Sequence, residues 1–368
     1  MCTRKLLFVI VFACFYQTIY AKGNYTLRFV QMIYRHGDRA PGELYRNDPN
    51  PETLWPLGLG ELTELGKMQQ YSLGKFFRVL YKDFFPKNPS EIKAMSSNNS
   101  RCIQSSKANL EGFFDSDNNN VSKLDGYCSW QQIPIFSFPS SSDKYLGIES
   151  KCPKFDKEVE KNISQRGNFY RRRHQRLFNY LSRHLGKRMS WTSSTNFFDT
   201  LMIEKKYNLE VPKWAEVVFN QLKNAAATRF HFTFNSTLVQ RLRAGPFLKL
   251  VKHAINEKIK GNTPNLKFIT YSSHDANIGV ITAALKHFQE YPVPYCSTII
   301  FELYHEPEDN YYVRLLYLNS TEVDKFSQKS HILVLEGCTE FCPLNHFINF
   351  IEPFSSVDFD SECQITSY

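Results

Sequence analysis

The run Leu27-Arg-Phe-Val-Gln-Met-Ile-Tyr34, followed at once by Arg35-His36-Gly37-Asp38-Arg39-Ala40-Pro41, constrains this chain more than any other feature. An apolar run of that length reads as a strand, and its abrupt polar end lies at the strand's carboxyl terminus. In open α/β sheets that edge is where ligands bind. Two arginines flanking a histidine make a poor core cluster but a good anion pocket, because each guanidinium offers paired planar donors that match phosphate oxygens. Gly37 lets backbone approach a ligand closely, and Pro41 stiffens the exit. A neutral imidazole among fixed cations can attack phosphorus while the cations disperse the charge growing on the phosphoryl oxygens. The competing reading is an exposed charged turn with a stray histidine. Two arginines set so close to one histidine at a strand's end disfavour it.

Of the 368 residues, 42% are hydrophobic, too many for a disordered chain. At roughly 150 residues per domain the length suggests about two lobes. The first residues stand outside the fold. Arg4 and Lys5 precede the apolar run Leu6 to Phe15, and Tyr20-Ala21 follows, the order of a secretory signal peptide spanning residues 1–21. A buried N-terminal strand is the alternative. Removing the signal takes away two bases and no acid, so the formal charge falls from +9 to +7. Beyond it no apolar run approaches the ~20 residues of a membrane span.

Nine cysteines fall to seven once Cys2 and Cys14 leave with the signal, and an odd number leaves at least one thiol over. Cys338-Thr-Glu-Phe-Cys342 reads as a local disulfide rather than half a zinc site, since no second pair stands at zinc spacing. Acceptor sequons for N-glycans occur at Asn24, Asn98, Asn120, Asn162, Asn235 and Asn319.

The pattern along the chain starts and finishes as α/β and turns helical between. Thr63 caps a predicted helix through Leu65, Met68, Leu73, Phe76, Phe77 and Leu80. A short strand at 92–97 precedes a helix from about Arg101 to Phe114. From 116 to about 265 strand signals fade, and helical stretches at 157–186 and 239–260 take over. Strands return at 266–272, 297–304 and 311–318, the last two flanking a hairpin loop at 306–310. The order fits an α/β core, residues 22–115 and 266–368, with a mainly helical cap at 116–265.

A second polar group, Tyr271-Ser-Ser-His274-Asp275-Ala276-Asn277, stands where a strand ends and a helix begins. Asp275 suits a helix N-cap. It also suits a general acid, which ester cleavage needs because an alcohol leaves badly as an anion. Delivery from a second strand's carboxyl end favours the catalytic reading.

These two groups together resemble the histidine acid phosphatases of prostatic, lysosomal and insect venom types. The likeness continues through Gly60-Glu-Leu-Thr-Glu-Leu-Gly66-Lys-Met, Ser297-Thr-Ile-Ile-Phe-Glu-Leu-Tyr304 and Gly337-Cys-Thr-Glu-Phe-Cys-Pro-Leu344, and covers nearly the whole mature chain. The last stretch and the lack of a membrane tail look most like the secreted venom members. The resemblance implies a phosphoglycerate-mutase-like α/β core sheet flanked by helices, with a helical cap. It implies His36 as nucleophile, Arg35, Arg39 and Arg101 as phosphate ligands, His274 as a further phosphate donor and Asp275 as proton donor. Arg101 stands where the family pattern ends Asp-Arg-Thr; here Ser100 and Cys102 replace its neighbours. A glycan on Asn98 would crowd that pocket, so this sequon is expected to be unused. The resemblance also implies bridges Cys338–Cys342 and Cys152–Cys363. Cys296 matches half of a third family bridge whose partner position holds Ile203, so Cys102, Cys128 and Cys296 stay unassigned.

Other groups read as bland. Arg171-Arg-Arg-His174-Gln-Arg176 could bind a polyanion, but a solvated helix face over Phe169, Leu177 and Tyr180 is preferred. His184, His231, His253, His287 and His346 lack companions at metal spacing. No dinucleotide loop or P-loop occurs. The expectation is a secreted, metal-free and cofactor-free enzyme acting on small phosphomonoesters or phosphoproteins through a phosphohistidine. It would need neither nucleic acid nor stable membrane association, and a homodimer stays open. The rival is a silent secreted binding or allergen-like protein on the same scaffold. The complete set His36, Arg35, Arg39, Arg101, His274 and Asp275 favours the enzyme.

Overall fold

A computed structural model describes residues 25–115, 133–147, 150–165, 167–288, 291–308, 310–319 and 328–364. Residues 1–21, expected above to be a signal peptide, and Asn24, Asn120 and Cys128 lie outside the described residues. The strands are β1 (Thr26–Arg35), β2 (Ile92–Ser96), β3 (Ile135–Phe136), β4 (Phe268–Ser273), β5 (Thr298–His305), β6 (Tyr311–Leu318), β7 (Ser330–Leu333) and β8 (Cys342–Pro343). They form one sheet in the order β3-β2-β4-β1-β5-β6-β7, with β8 also paired to β6. β1 and β2 flank β4 in parallel, and from β5 onward the ladder is antiparallel. Arg35 pairs with Ser273, and Ser96 with Ser272, so the three parallel strands stop at one level. Residues 36, 97 and 274 therefore leave the sheet side by side.

β1 shows why this run sits at the centre. Phe29 and Ile33 point into the core on one face, and Val30, Met32 and Tyr34 into the core on the other, following the two-residue period of a strand. Gln31 is buried among them and satisfied, donating to the Val251 carbonyl at 3.1 Å and accepting from the Tyr271 hydroxyl at 2.9 Å. Helices α1 (Glu64–Leu80) and α2 (Ser100–Phe114) cover the second face. Thr63 caps α1 as predicted, its hydroxyl accepting from the Gly66 N–H at 3.1 Å.

The helical segment contains α3 (Pro153–Gln165), α4 (Gly167–Leu185), α5 (Trp191–Lys206), α6 (Lys213–Glu216), α7 (Phe219–Phe234), α8 (Thr237–Arg243) and α9 (Gly245–Ile259). The helix predicted over 239–260 is thus two, because Pro246 in the first turn of α9 has no N–H to continue α8. The stretch 157–186 likewise divides into α3 and α4. β3, two residues long between Pro134 and Pro139, is too short for its period to show in sequence. Residues of α4, α5 and α7 build a hydrophobic core of their own around Leu181, Phe198 and Leu222. Val239 of α8 and Phe247, Leu248 and Val251 of α9 instead pack with Ile33, Ile269 and Phe301 of the sheet.

The chain closes with α10 (Asp275–Ala284) after β4, then α11 (Leu344–Ser355) and α12 (Phe359–Glu362) after the antiparallel strands. Cys152 is bonded to Cys363 and Cys338 to Cys342. The first ties the start of α3 to the end of α12, and the second removes both thiols beside His346 from any metal set. Cys102 and Cys296 are buried free thiols.

Among the sequons, Asn98, Asn235 and Asn319 are exposed. Asn162 is not: it is 6% exposed with its amide nitrogen enclosed, so the atom a glycan needs faces protein rather than solvent. On α4, Arg172, Arg173 and Arg176 are solvated and Leu177 is buried, but Phe169 is 77% exposed and does not join the apolar side. Among the described residues no helix is long and apolar enough to cross a membrane.

Candidate active site

His36 follows β1 and is held at both ends of its backbone. Its N–H donates to the Ser273 carbonyl at 2.9 Å, and its carbonyl accepts from the Cys296 N–H at 3.3 Å. The next residue must be glycine. A Cβ on Gly37 would stand 2.3 Å from the Gly66 carbonyl oxygen, and one on Gly66 would stand 2.1 Å from the Asp38 carbonyl oxygen. The start of α1 is thereby pressed against the loop that carries His36. The ring Nδ1 lies 2.8 Å from the Gly37 carbonyl oxygen. A carbonyl only accepts, so Nδ1 carries the proton and Nε2 keeps its lone pair. Burial, with Arg35, Arg101, His274 and Arg39 nearby, holds the ring's pKa well below the ordinary histidine range. His36 is neutral.

Three guanidiniums surround it. Arg35 donates from Nη1 to the Val293 carbonyl, lies 3.3 Å from Asp275 through Nη2, and sits 4.2 Å above the Tyr295 ring. Arg39 forks onto Asp199, with Nη1 at 2.9 Å from one carboxylate oxygen and Nη2 at 3.1 Å from the other. Burial alone would lower the pKa of Arg39, but Asp199 outweighs it and raises it. Arg101 reaches the Gly60 carbonyl through Nη1 and His274 through Nη2, each at 3.4 Å. Among the described residues the buried Nε–H groups of Arg35 and Arg101 have no acceptor. A buried donor left unpaired costs about 1–3 kcal/mol, so an entering anion completes this pocket.

His274, not Asp275, is the N-cap of α10, its N–H donating to the Asn277 side chain at 3.3 Å. Asp275 opens the helix proper, with one carboxylate oxygen accepting from the Ala276 N–H at 2.8 Å. The ring of His274 accepts from Arg101 at Nδ1, so Nε2 carries the hydrogen that it gives to Ser97 Oγ at 3.0 Å. That leaves no N–H for a phosphate unless the ring takes a second proton. Burial and the adjacent Arg101 push its pKa down to about 3. Burial would raise the pKa of Asp275, but Arg35 and Arg39 outweigh it and hold the group as an ionised carboxylate. Cys102, the departure from the family pattern, lies 3.6 Å from His274 Nε2, and burial pushes its thiol up to about 12. It packs behind the ring as a neutral group.

Several residues of the site carry no sequence signal. Asp199 lies on cap helix α5, in no motif; only the need of a buried Arg39 for a counter-ion announces that some acid must be there. Asp38, inside the motif, is fully buried and structural. It accepts from Thr63 at 2.7 Å and Tyr207 at 2.5 Å and is paired with Lys206, which ties the start of α1 to the end of α5. From Arg39 and Asp275 a cleft of about 320 Å³ opens between sheet and cap, walled by Thr195, Asn196, Arg229, Phe230 and Tyr291 among others.

A neutral imidazole ringed by guanidiniums at the carboxyl ends of parallel strands, with a carboxylate across from it, is the architecture of a histidine phosphatase. Residues 26–318 match the histidine phosphatase superfamily (branch 2), and the chain belongs to that family. It is 31% identical to human lysosomal acid phosphatase over 355 residues, covering 93% of this chain and 81% of that protein. It is 30% identical to the Xenopus laevis lysosomal enzyme, covering 93% and 80%, and 29% identical to human prostatic acid phosphatase, covering 93% and 89%. Among solved structures, the Citrobacter braakii phytase superposes with a TM-score of 0.67 at 17% identity, covering 92% of this chain and all of that one.

Proposed function

We propose that this chain is a secreted acid phosphatase that hydrolyses phosphate monoesters through a phosphohistidine at His36. One observation carries the reading: the Gly37 carbonyl ties up Nδ1 and leaves the Nε2 lone pair inside a cage of three arginines. Export is supported by the order of residues 4–21 and by the cysteine and sequon usage.

In the first step Nε2 attacks phosphorus, the N–P bond forms and the ester P–O bond breaks. The departing oxygen takes the proton of Asp275. In the second step water attacks phosphorus and gives its proton to the Asp275 carboxylate, the N–P bond breaks, and inorganic phosphate leaves. Arg35, Arg39 and Arg101 hold the oxygens throughout. Arg35 and Arg39 hold Asp275 ionised until an anion offsets them, so the proton it donates has to arrive with the substrate. A phosphate monoester monoanion carries one, since its second pKa is about 6. A bound phosphate also offsets Arg35 and Arg39, which lets Asp275 keep that proton. Second-order turnover, kcat/KM, should therefore fall above about pH 6 as the monoanion is depleted. No oxidant, metal or organic cofactor enters this balance of atoms.

The test is rapid mixing of the full chain, expressed through a secretory pathway, with 32P-labelled substrate, followed by an alkaline denaturing quench that spares a phosphohistidine. Label on wild-type protein and none on His36→Asn supports the proposal. Steady-state turnover with no labelled protein at any time would remove the covalent step. The silent-binder alternative predicts no turnover at all.

A further inference from the structure

Arg229 belongs to no motif, yet the structure places it in the cleft. It lies on α7 facing Asp275 and Tyr291, beside Phe230. Among the described residues its guanidinium makes no hydrogen bond or ion pair, and its Nε is enclosed without an acceptor. Arg39 and Arg243, as enclosed as this one, are occupied, the first by Asp199 and the second by Ser150. Burial lowers its pKa, with Tyr291 and Asp275 acting the other way, and it remains a cation at every physiological pH. Keeping an unpaired charge in such a place is costly unless a ligand meets it.

Its position tells which part of a substrate it would meet. The charges that weigh most on His36 are Arg35, Arg101, His274 and Arg39, whereas those acting on Arg229 are Tyr291 and Asp275. It stands on the side of the proton donor, where the leaving group emerges. None of the cleft's three acids pairs with it: Asp275 faces it but is paired with Arg35, Asp199 is held by Arg39, and Glu43 is exposed at the rim, where water screens its charge.

We propose that Arg229 binds a second anionic group on the leaving-group side, so that the preferred substrates are phosphomonoesters also bearing a carboxylate or a second phosphate. This rests on the phosphatase reading and adds a substrate class to it. Phe230 and Tyr291 would line the carbon framework between the two anions. A buried charge-assisted contact supports a preference of about 10- to 100-fold.

The experiment compares kcat/KM for 3-hydroxypropyl phosphate, 3-phosphooxypropanoate and propane-1,3-diol bisphosphate, whose leaving alkoxides are chemically alike. The bisphosphate rate is halved for its two equivalent ends. Wild type should favour one or both of the substrates with an anionic tail by about tenfold or more, and which of them wins separates carboxylate from phosphate. In Arg229→Gln the ratio should collapse to within about threefold, and Arg229→Lys should restore part of it. Reading a ratio removes any general loss of folded enzyme. A wild type that treats all three alike, or a preference that survives in Arg229→Gln, would overturn the assignment while leaving the phosphatase standing. Failure to hydrolyse any of the three would overturn both.

Discussion

The ring Nδ1 of His36 sits 2.8 Å from the carbonyl oxygen of Gly37, its own neighbour in the chain. No distant acid is needed to fix the tautomer; the bend of the loop does it. The bend exists because Gly37 and Gly66 touch backbone to backbone, so the tightness of that contact and the direction of the lone pair are one property. Gly37→Ala should disturb both, since its new Cβ collides with a carbonyl rather than with a movable side chain. His36→Asn should by contrast keep the fold while lowering kcat by about 10³-fold or more, the usual scale for loss of a nucleophile. Circular dichroism and steady-state rates on the two variants distinguish them.

Arg39 and Asp199 should behave as one unit. Asp199→Asn removes the charge that holds the fork but leaves its shape, so Arg39 should lose orientation more than presence. We expect KM to rise about tenfold, with a smaller fall in kcat. Arg39→Lys should cost at least as much, because an ammonium cannot make the paired contact. In a double-mutant cycle the two losses should be far from additive. Additive losses would mean that Asp199 acts on something other than Arg39.

How much of this was legible beforehand follows from what each feature depends on. β1, β4 and the two polar clusters are local: an apolar run, an abrupt polar end, a glycine where backbone meets backbone. So His36, Arg35, Arg39, His274 and Asp275 could be picked out one by one, and the register of β1 on β4 brings them together. Arg101 could be placed only by its likeness to a family pattern, and the structure puts it against His274. Asp199 and Arg229 could not be found, because their meaning comes from the cap folding over the sheet, 160 residues away in the case of Asp199 and Arg39. The division at Pro246 was readable but missed, a period seen across a residue that cannot continue a helix. The N-cap position given to Asp275 falls one residue earlier, on His274, whose backbone N–H donates to Asn277, while the Asp275 carboxylate still accepts a first-turn N–H, from Ala276.

For Asp275→Asn the loss should depend on the leaving group. An alkoxide needs a proton as it departs, whereas p-nitrophenolate leaves without one. The variant should lose about 10²- to 10⁴-fold on an alkyl phosphate and much less on p-nitrophenyl phosphate. Asparagine also removes the partner of Arg35, so a small loss common to both substrates is expected. Equal, large losses on both would reduce Asp275 to a residue that positions Arg35.

His274 links the site to stability in acid. In the folded, empty protein its pKa lies at about 3, set by burial and Arg101, while in the unfolded chain it takes the ordinary value of about 6.5. Because the folded value is the lower one, the unfolded state binds the proton first. Stability is whole above pH 6.5, falls as pH drops through the window between the two values, and stops falling below the folded one. At pH 4.5 the loss from this group is of the order of a few kcal/mol relative to pH 8. His36, shifted the same way, adds to it. Inorganic phosphate should reverse the effect, since an anion against Arg101 favours a charged imidazole, which then has the second N–H that the empty site lacks. The measurement is the unfolding midpoint of wild type and His274→Asn at pH 8 and pH 4.5, with and without phosphate. Wild type should lose more stability than the variant on acidification, and phosphate should recover more of it for wild type. Equal pH dependence of the two proteins would mean that His274 is not held neutral by Arg101, and equal rescue would mean that the ring does not meet the anion.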